Sequence, residues 1–150
     1  MTRRQPSRLP PFGYLGFLRY FLTARTGGRR PLFADAEVVS VVATQFLRTA
    51  RDEECAVLAY CFRPDHLHLL VEGRGPGSDL RRFMTLGRQR ATHHTRRLVS
   101  GALWQDGYYA RVVRRDEETA PLIRDGLHDP VRPGLAERAE DYPCAWCRWG

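Results

Sequence analysis

The stretch CAVLAYCF-RPD-HLHLLVE, residues 55–72, constrains this chain most. Residues 55–62 are an unbroken apolar run, short enough to suit a central strand. Arg63-Pro64-Asp65 has the chemistry of a tight turn. Residues 66–72 alternate, so the two segments predict a β-hairpin. In the second strand Leu67 and Leu69 point to one face. His66 and His68 point to the other, about 7 Å apart along the strand. A chain built on this hairpin has to assemble a sheet around it.

The flanking segments supply that sheet and a helical layer. Residues 14–25, aromatic and aliphatic, predict a strand, followed by a turn at Gly27-Gly28. Residues 34–51 predict a helix capped by Asp35, with Val38, Val41, Val42, Phe46 and Leu47 at helical spacing. A loop at 73–79 leads into a second helix, 80–98, capped by Ser78 or Asp79. Its apolar set is Leu80, Phe83, Met84, Gly87, Ala91 and Leu98. A last strand is expected around Tyr108 to Val113, then a helix at 116–129 and an irregular docked tail at 134–150. The order β-α-β-β-α-β-α defines an α+β fold, the ferredoxin-like split βαββαβ arrangement. It implies one antiparallel sheet with helices on one face, plus an extra C-terminal helix. A chain of 150 residues suits one domain, so we expect a basic flexible arm at 1–13 followed by a single domain, 14–150.

Charge narrows the partners. The net charge is +7, and every basic side chain is Arg, with no Lys and no Asn. The absence of two residues with AT-rich codons points to a GC-rich genome, so the Arg bias is partly mutational. Arg still grips phosphate through a planar fork and stacks on bases. Such a surface favours anionic partners, nucleic acid first among them. The N-terminus is broken by Pro10, Pro11 and Gly13 and does not read as a signal peptide. No apolar run is long enough to span a membrane, and a cytoplasmic location is expected. Cys55 and Cys61 fall in the buried strand and read as reduced core thiols. One C-x-x-C, Cys144 to Cys147, is a weak signal for zinc or redox chemistry. There is no G-x-x-x-x-G-K-[S/T] and no G-x-S-x-G, and the string GRGPG at 73–77 reads as a turn.

The residues alone leave the histidine pair two readings, a metal-binding pair or two partly buried imidazoles bonded locally. Four blocks in order favour the first. AYCFRPDHLHLLVE resembles a strand, an M-P-N-H-x-H-x-L turn and a second strand, the HUH motif. YFLTARTGGRRPLFADAE, LWQDGYYAR and DPVRPGLAERAEDYP resemble further blocks of the same family. That family is the HUH single-tyrosine transposases of insertion sequences, with their REP-associated tyrosine transposase relatives. The similarity covers most of residues 17–143.

The resemblance implies a ferredoxin-like fold and metal-dependent cleavage and joining of single-stranded or hairpin DNA. It implies that His66 and His68 bind Mg²⁺ or Mn²⁺, and that a tyrosine on the last helix attacks the phosphate. In the register set by Pro130, Val131 and Gly134, the tyrosine position is Asp125. The oxygen ligand expected four residues later, normally Asn, is Asp129. Four residues on a helix share a face. An acyl phosphate at Asp125 would hydrolyse rather than rejoin strands, so cleavage is expected to be lost or severely weakened. Tyr108 and Tyr109 follow the W-Q block as candidates for base stacking, whereas Trp104 reads as core. Arg3 and Arg4 on the arm, and Arg81, Arg82, Arg88, Arg90, Arg96 and Arg97 on the second helix, are candidate phosphate contacts. For the arginine helix the alternative is a solvated face. The alternatives to a DNA-cutting protein are a repurposed, non-catalytic DNA binder and a ferredoxin-like RNA-binding module. A homodimer is the other partner considered.

Overall fold

The computed structural model describes residues 16–113 and the backbone of residues 145–147. In chain order the elements are β1 (Arg19–Arg25), α1 (Ala36–Asp52), β2 (Cys55–Arg63), β3 (His66–Gly73), α2 (Leu80–His94), β4 (Tyr109–Val113) and β5 (Ala145–Cys147). Two single 3-10 turns, Gly27–Arg29 and Leu32–Ala34, connect β1 to α1.

The strands form one sheet in the order β4-β1-β3-β2-β5, and every pairing is antiparallel. The first four follow the expected α+β, ferredoxin-like order. The β2–β3 hairpin pairs Arg63 with His66 across the turn residues Pro64 and Asp65. A register shift between Val57 and Ala59 keeps Val57 and Phe62 in the main core, although they stand an odd offset apart along the strand.

Alternation on the strands puts Tyr20, Leu22 and Ala24 of β1, with Leu67, Leu69 and Val71 of β3, under the helices. There they meet Val38, Val42 and Phe46 of α1 and Leu80, Phe83, Met84 and Ala91 of α2. Both helices begin where expected. Asp35 accepts from Glu37 N at α1, and Asp79 accepts from Arg81 N and Arg82 N at α2. Ser78, the other candidate cap, is buried and instead bonds Glu54 O. α1 and α2 approach closely at Gly87, where a Cβ would stand 2.6 Å from the Phe46 ring.

Two expectations need correction. α2 ends at His94, not 98: Thr95 Oγ1 bonds back to Ala91 O, and Leu98 N and Val99 N both turn to Thr95 O. The tail is not irregular throughout, because Ala145–Cys147 adds an edge strand to β2 at Ala59–Cys61. The arm at 1–13 and the helix at 116–129 lie outside the described residues. Among the described residues no helix is long and apolar enough to cross a membrane.

Candidate functional site

The histidines stand on the face of the sheet opposite the helices. On this face three strands bring side chains into rows. Thr23 of β1, His68 of β3 and Cys61 of β2 form one row, and Arg25, His66 and Arg63 form the next. The two imidazole rings lie 4.7 Å apart between centroids, nearly perpendicular at 80°. Phe21 stacks on His68 at 5.2 Å.

Each ring is held through Nδ1. His66 Nδ1 lies 2.7 Å from Asp65 Oδ1. Two charge-assisted contacts, from His66 and Arg29, hold the Asp65 carboxyl below its ordinary range against the opposing effect of burial. An ionised carboxylate only accepts, so His66 Nδ1 carries the proton and donates. His68 Nδ1 lies 3.0 Å from Thr23 Oγ1, a hydroxyl that can play either role. With Nδ1 engaged on both rings, Nε2 is the nitrogen through which each would coordinate. A metal-binding histidine needs this support: an outer partner that fixes tautomer and ring plane.

The rings are neutral at ordinary pH. Burial pulls His66 below its usual value, with the charges of Arg63 and Arg25 adding to it and Asp65 opposing. Burial pushes His68 down to about 3, helped by His66, Arg63 and Arg25. Neutral imidazole is the form that binds metals.

The turn carrying Asp65 is gripped from the β1–α1 connection. Thr26 N and Thr26 Oγ1 donate to Asp65 O, and Phe33 N donates to Pro64 O. Arg29, in the left-handed region at φ 56°, reaches Asp65 Oδ2 at 2.8 Å. Gly28 at φ 64° makes that curl feasible.

Other predicted residues fall elsewhere. α2 lies on the opposite face of the sheet from the histidines. There Arg82 pairs with Glu53 at 2.8 Å and Arg90 with Asp52 at 3.0 Å. Arg88 is half-buried: it donates to Gln105 O, lies over the Trp104 and Tyr108 rings, and has its pKa lowered by burial. Arg81 is exposed, and Arg96 and Arg97 are exposed beyond the helix end. Tyr108 is 4% exposed and belongs to the core, so its ring offers no face to a base. Tyr109 is exposed and sits beside Thr23, in the row of His68. Trp104 packs on Phe33 and Phe46, as expected of a core residue. Cys55 and Cys61 are buried free thiols, and burial with nearby acids pushes Cys55 up to about 11, an inert thiol.

Arg3, Arg4, Asp125 and Asp129 lie outside the described residues. Among the described residues no three His, Cys, Asp or Glu side chains converge as a metal site. Sequence reasoning missed Thr23, Arg25, Arg29, Arg63 and Asp65 as neighbours of the pair. The available signal was Thr23 and Arg25 alternating with apolar Leu22 and Ala24 on β1.

Among the described residues, a split βαββαβ sheet carries two supported imidazoles on the face opposite α1 and α2. The family model described as "Transposase IS200 like" matches residues 17–123, and the chain belongs to that family. A REP-associated tyrosine transposase, solved bound to a REP hairpin, shares the fold with a TM-score of 0.76. It is 17% identical over 88% of this chain and 78% of its own. A candidate transposase from Deinococcus radiodurans R1 is 22% identical over 78% of this chain and 93% of its own, with a TM-score of 0.54. No curated protein matches the chain.

Proposed function

We propose that this protein binds single-stranded or hairpin DNA across the histidine-bearing face of its sheet, with a divalent metal held at His66 and His68. The observation that carries this reading is the support of both rings through Nδ1, by Asp65 and by Thr23. Membership of the IS200-like family and the fold shared with a hairpin-bound transposase support the choice of DNA.

The donor set fits Mg²⁺ or Mn²⁺ once an oxygen ligand joins the two nitrogens, and Asp129 is that ligand in this reading. The ion, when bound, polarises a phosphate oxygen as a Lewis acid. His66 and His68 supply neutral nitrogens, Asp65 keeps the His66 proton on Nδ1, and Thr23 orients His68. Exposed Tyr109 offers a ring for an unpaired base, and Arg96 and Arg97, exposed beyond the end of α2, offer outlying phosphate contacts.

Asp125 stands where the resemblance places the nucleophilic tyrosine, so strand cleavage and joining are absent or severely weakened. DNA recognition without cutting is then the working activity. The test is incubation with hairpin-bearing single-stranded DNA and Mn²⁺, followed by a denaturing gel. We expect DNA binding without a covalent adduct, and an adduct on Asp125→Tyr combined with Gly126→Ile. An adduct on the unaltered protein would overturn the loss of cleavage. Absence of both DNA binding and Mn²⁺ uptake would overturn the whole reading.

A further inference from the structure

We propose that Arg25 and Arg63 form a phosphodiester clamp across the histidine pair, gripping a DNA strand whether or not a metal ion is bound. The inference rests on the reading that this face binds DNA, and adds two residues and a metal-independent step to it.

Arg25 of β1 and Arg63 of β2 are the cross-strand neighbours of His66 on its two sides. Two strand spacings put their Cα atoms about 10 Å apart, and both side chains rise on the histidine face. Guanidinium arms at that separation can close on one backbone from either side.

Charge points the same way. Arg25, Arg29 and Arg63 cluster here with Asp65, and Asp65 is engaged by Arg29 at 2.8 Å and by His66 at 2.7 Å. Arg25 Nε is buried with no hydrogen-bond partner among the described residues. That nitrogen is enclosed, whereas Arg25 as a residue is only half-buried, so a phosphate oxygen would meet the fork through its outer nitrogens. The planar fork matches two phosphate oxygens at once. A strand held this way lies beside His66 and His68 before any metal arrives.

The test uses the full chain, an oligothymidine of about 20 nucleotides and fluorescence anisotropy in EDTA over a salt series. Wild-type protein should bind, with affinity falling as salt rises. Arg25→Gln and Arg63→Gln should each weaken binding about ten-fold at low salt. Each should also reduce the log K against log salt slope by about 0.7. Arg25→Lys and Arg63→Lys, milder on the fold, should keep the slope yet bind about three-fold more weakly, because an ammonium lacks the fork. Gln variants that remain folded by circular dichroism and match wild type in affinity and slope would overturn the clamp, as would Lys variants of wild-type affinity. These outcomes leave the DNA-binding reading standing. Wild-type protein that binds neither oligothymidine nor hairpin DNA overturns that reading, and the clamp with it.

Discussion

On one face of β3, Leu67, Leu69 and Val71 are at most 2% exposed and lie beneath two helices. On the other face, one residue out of step, His66, His68 and Glu72 are each held by a particular side chain: Asp65, Thr23 and Arg19. The first face is stabilised by apolar area, which many side chains of similar shape can supply. At those three positions the second depends on donor, acceptor and charge, where one wrong partner leaves a polar group unsatisfied, while Leu70 between them is buried in a smaller apolar cluster with Ala56, Leu58, Ala59 and Val113. Substitutions on the first face should therefore register as lost stability, and those on the second as lost binding.

Leu69→Ala probes the first face and should have the largest effect, a loss of about 3 kcal/mol in urea unfolding. The folded fraction should keep its DNA affinity. A loss below about 1 kcal/mol would mean that the helices do not close over this strand as tightly as its burial indicates.

Acid probes the second face. Folding holds the His68 pKa at about 3 against 6.5 for the ordinary ring. As pH falls through 6.5 the unfolded chain takes up a proton that the folded ring refuses. The contribution is therefore fully present above that value and lost below it, by about 2 kcal/mol at pH 5. Urea midpoints of metal-free protein between pH 7.5 and 5 should show the fall, and His68→Asn should remove much of it. An equal slope in the variant would place the acid sensitivity elsewhere.

Asp65→Asn is a finer probe. It removes the carboxylate that orients His66 and opposes the fall in its pKa. Mn²⁺ affinity, read by isothermal calorimetry, should drop about ten-fold with the fold retained. Unchanged affinity would reduce Asp65 to a partner of Arg29.

The difference between the faces also explains what could be read from the sequence. Apolar spacing on residues 34–51, the run at 55–62 and the alternation at 66–72 each encode which side is buried. The helices, the hairpin and the sheet order follow from that. The two histidines were visible because imidazoles are conspicuous in an apolar strand. Their supports were not, because Thr23 is 45 residues from His68, and Asp65 read simply as a turn residue. Pairing register joins these residues, and register emerges only when the sheet is assembled. β5 was missed for a similar reason: a three-residue edge strand has too few positions for a period and depends on a distant partner. The end of α2 at His94 reflects competition by the Thr95 hydroxyl for helical carbonyls, a local effect that apolar spacing overlooks.

The arginines give the smallest expected effect and the sharpest contrast. Arg82 on α2 and Arg25 on β1 carry the same charge, but Arg82 is an exposed side chain already neutralised by Glu53 at 2.8 Å. Surface pairs of this kind contribute under about 1 kcal/mol, so Arg82→Ala should barely move the urea midpoint. Because Arg82 lies on the opposite side of the sheet from the histidines, Arg82→Ala should also leave the salt slope of oligothymidine binding unchanged. Arg25→Gln should lower it. Equal reductions from the two variants would mean that the bound strand wraps onto the helical layer, and that both faces of the sheet contribute to DNA binding.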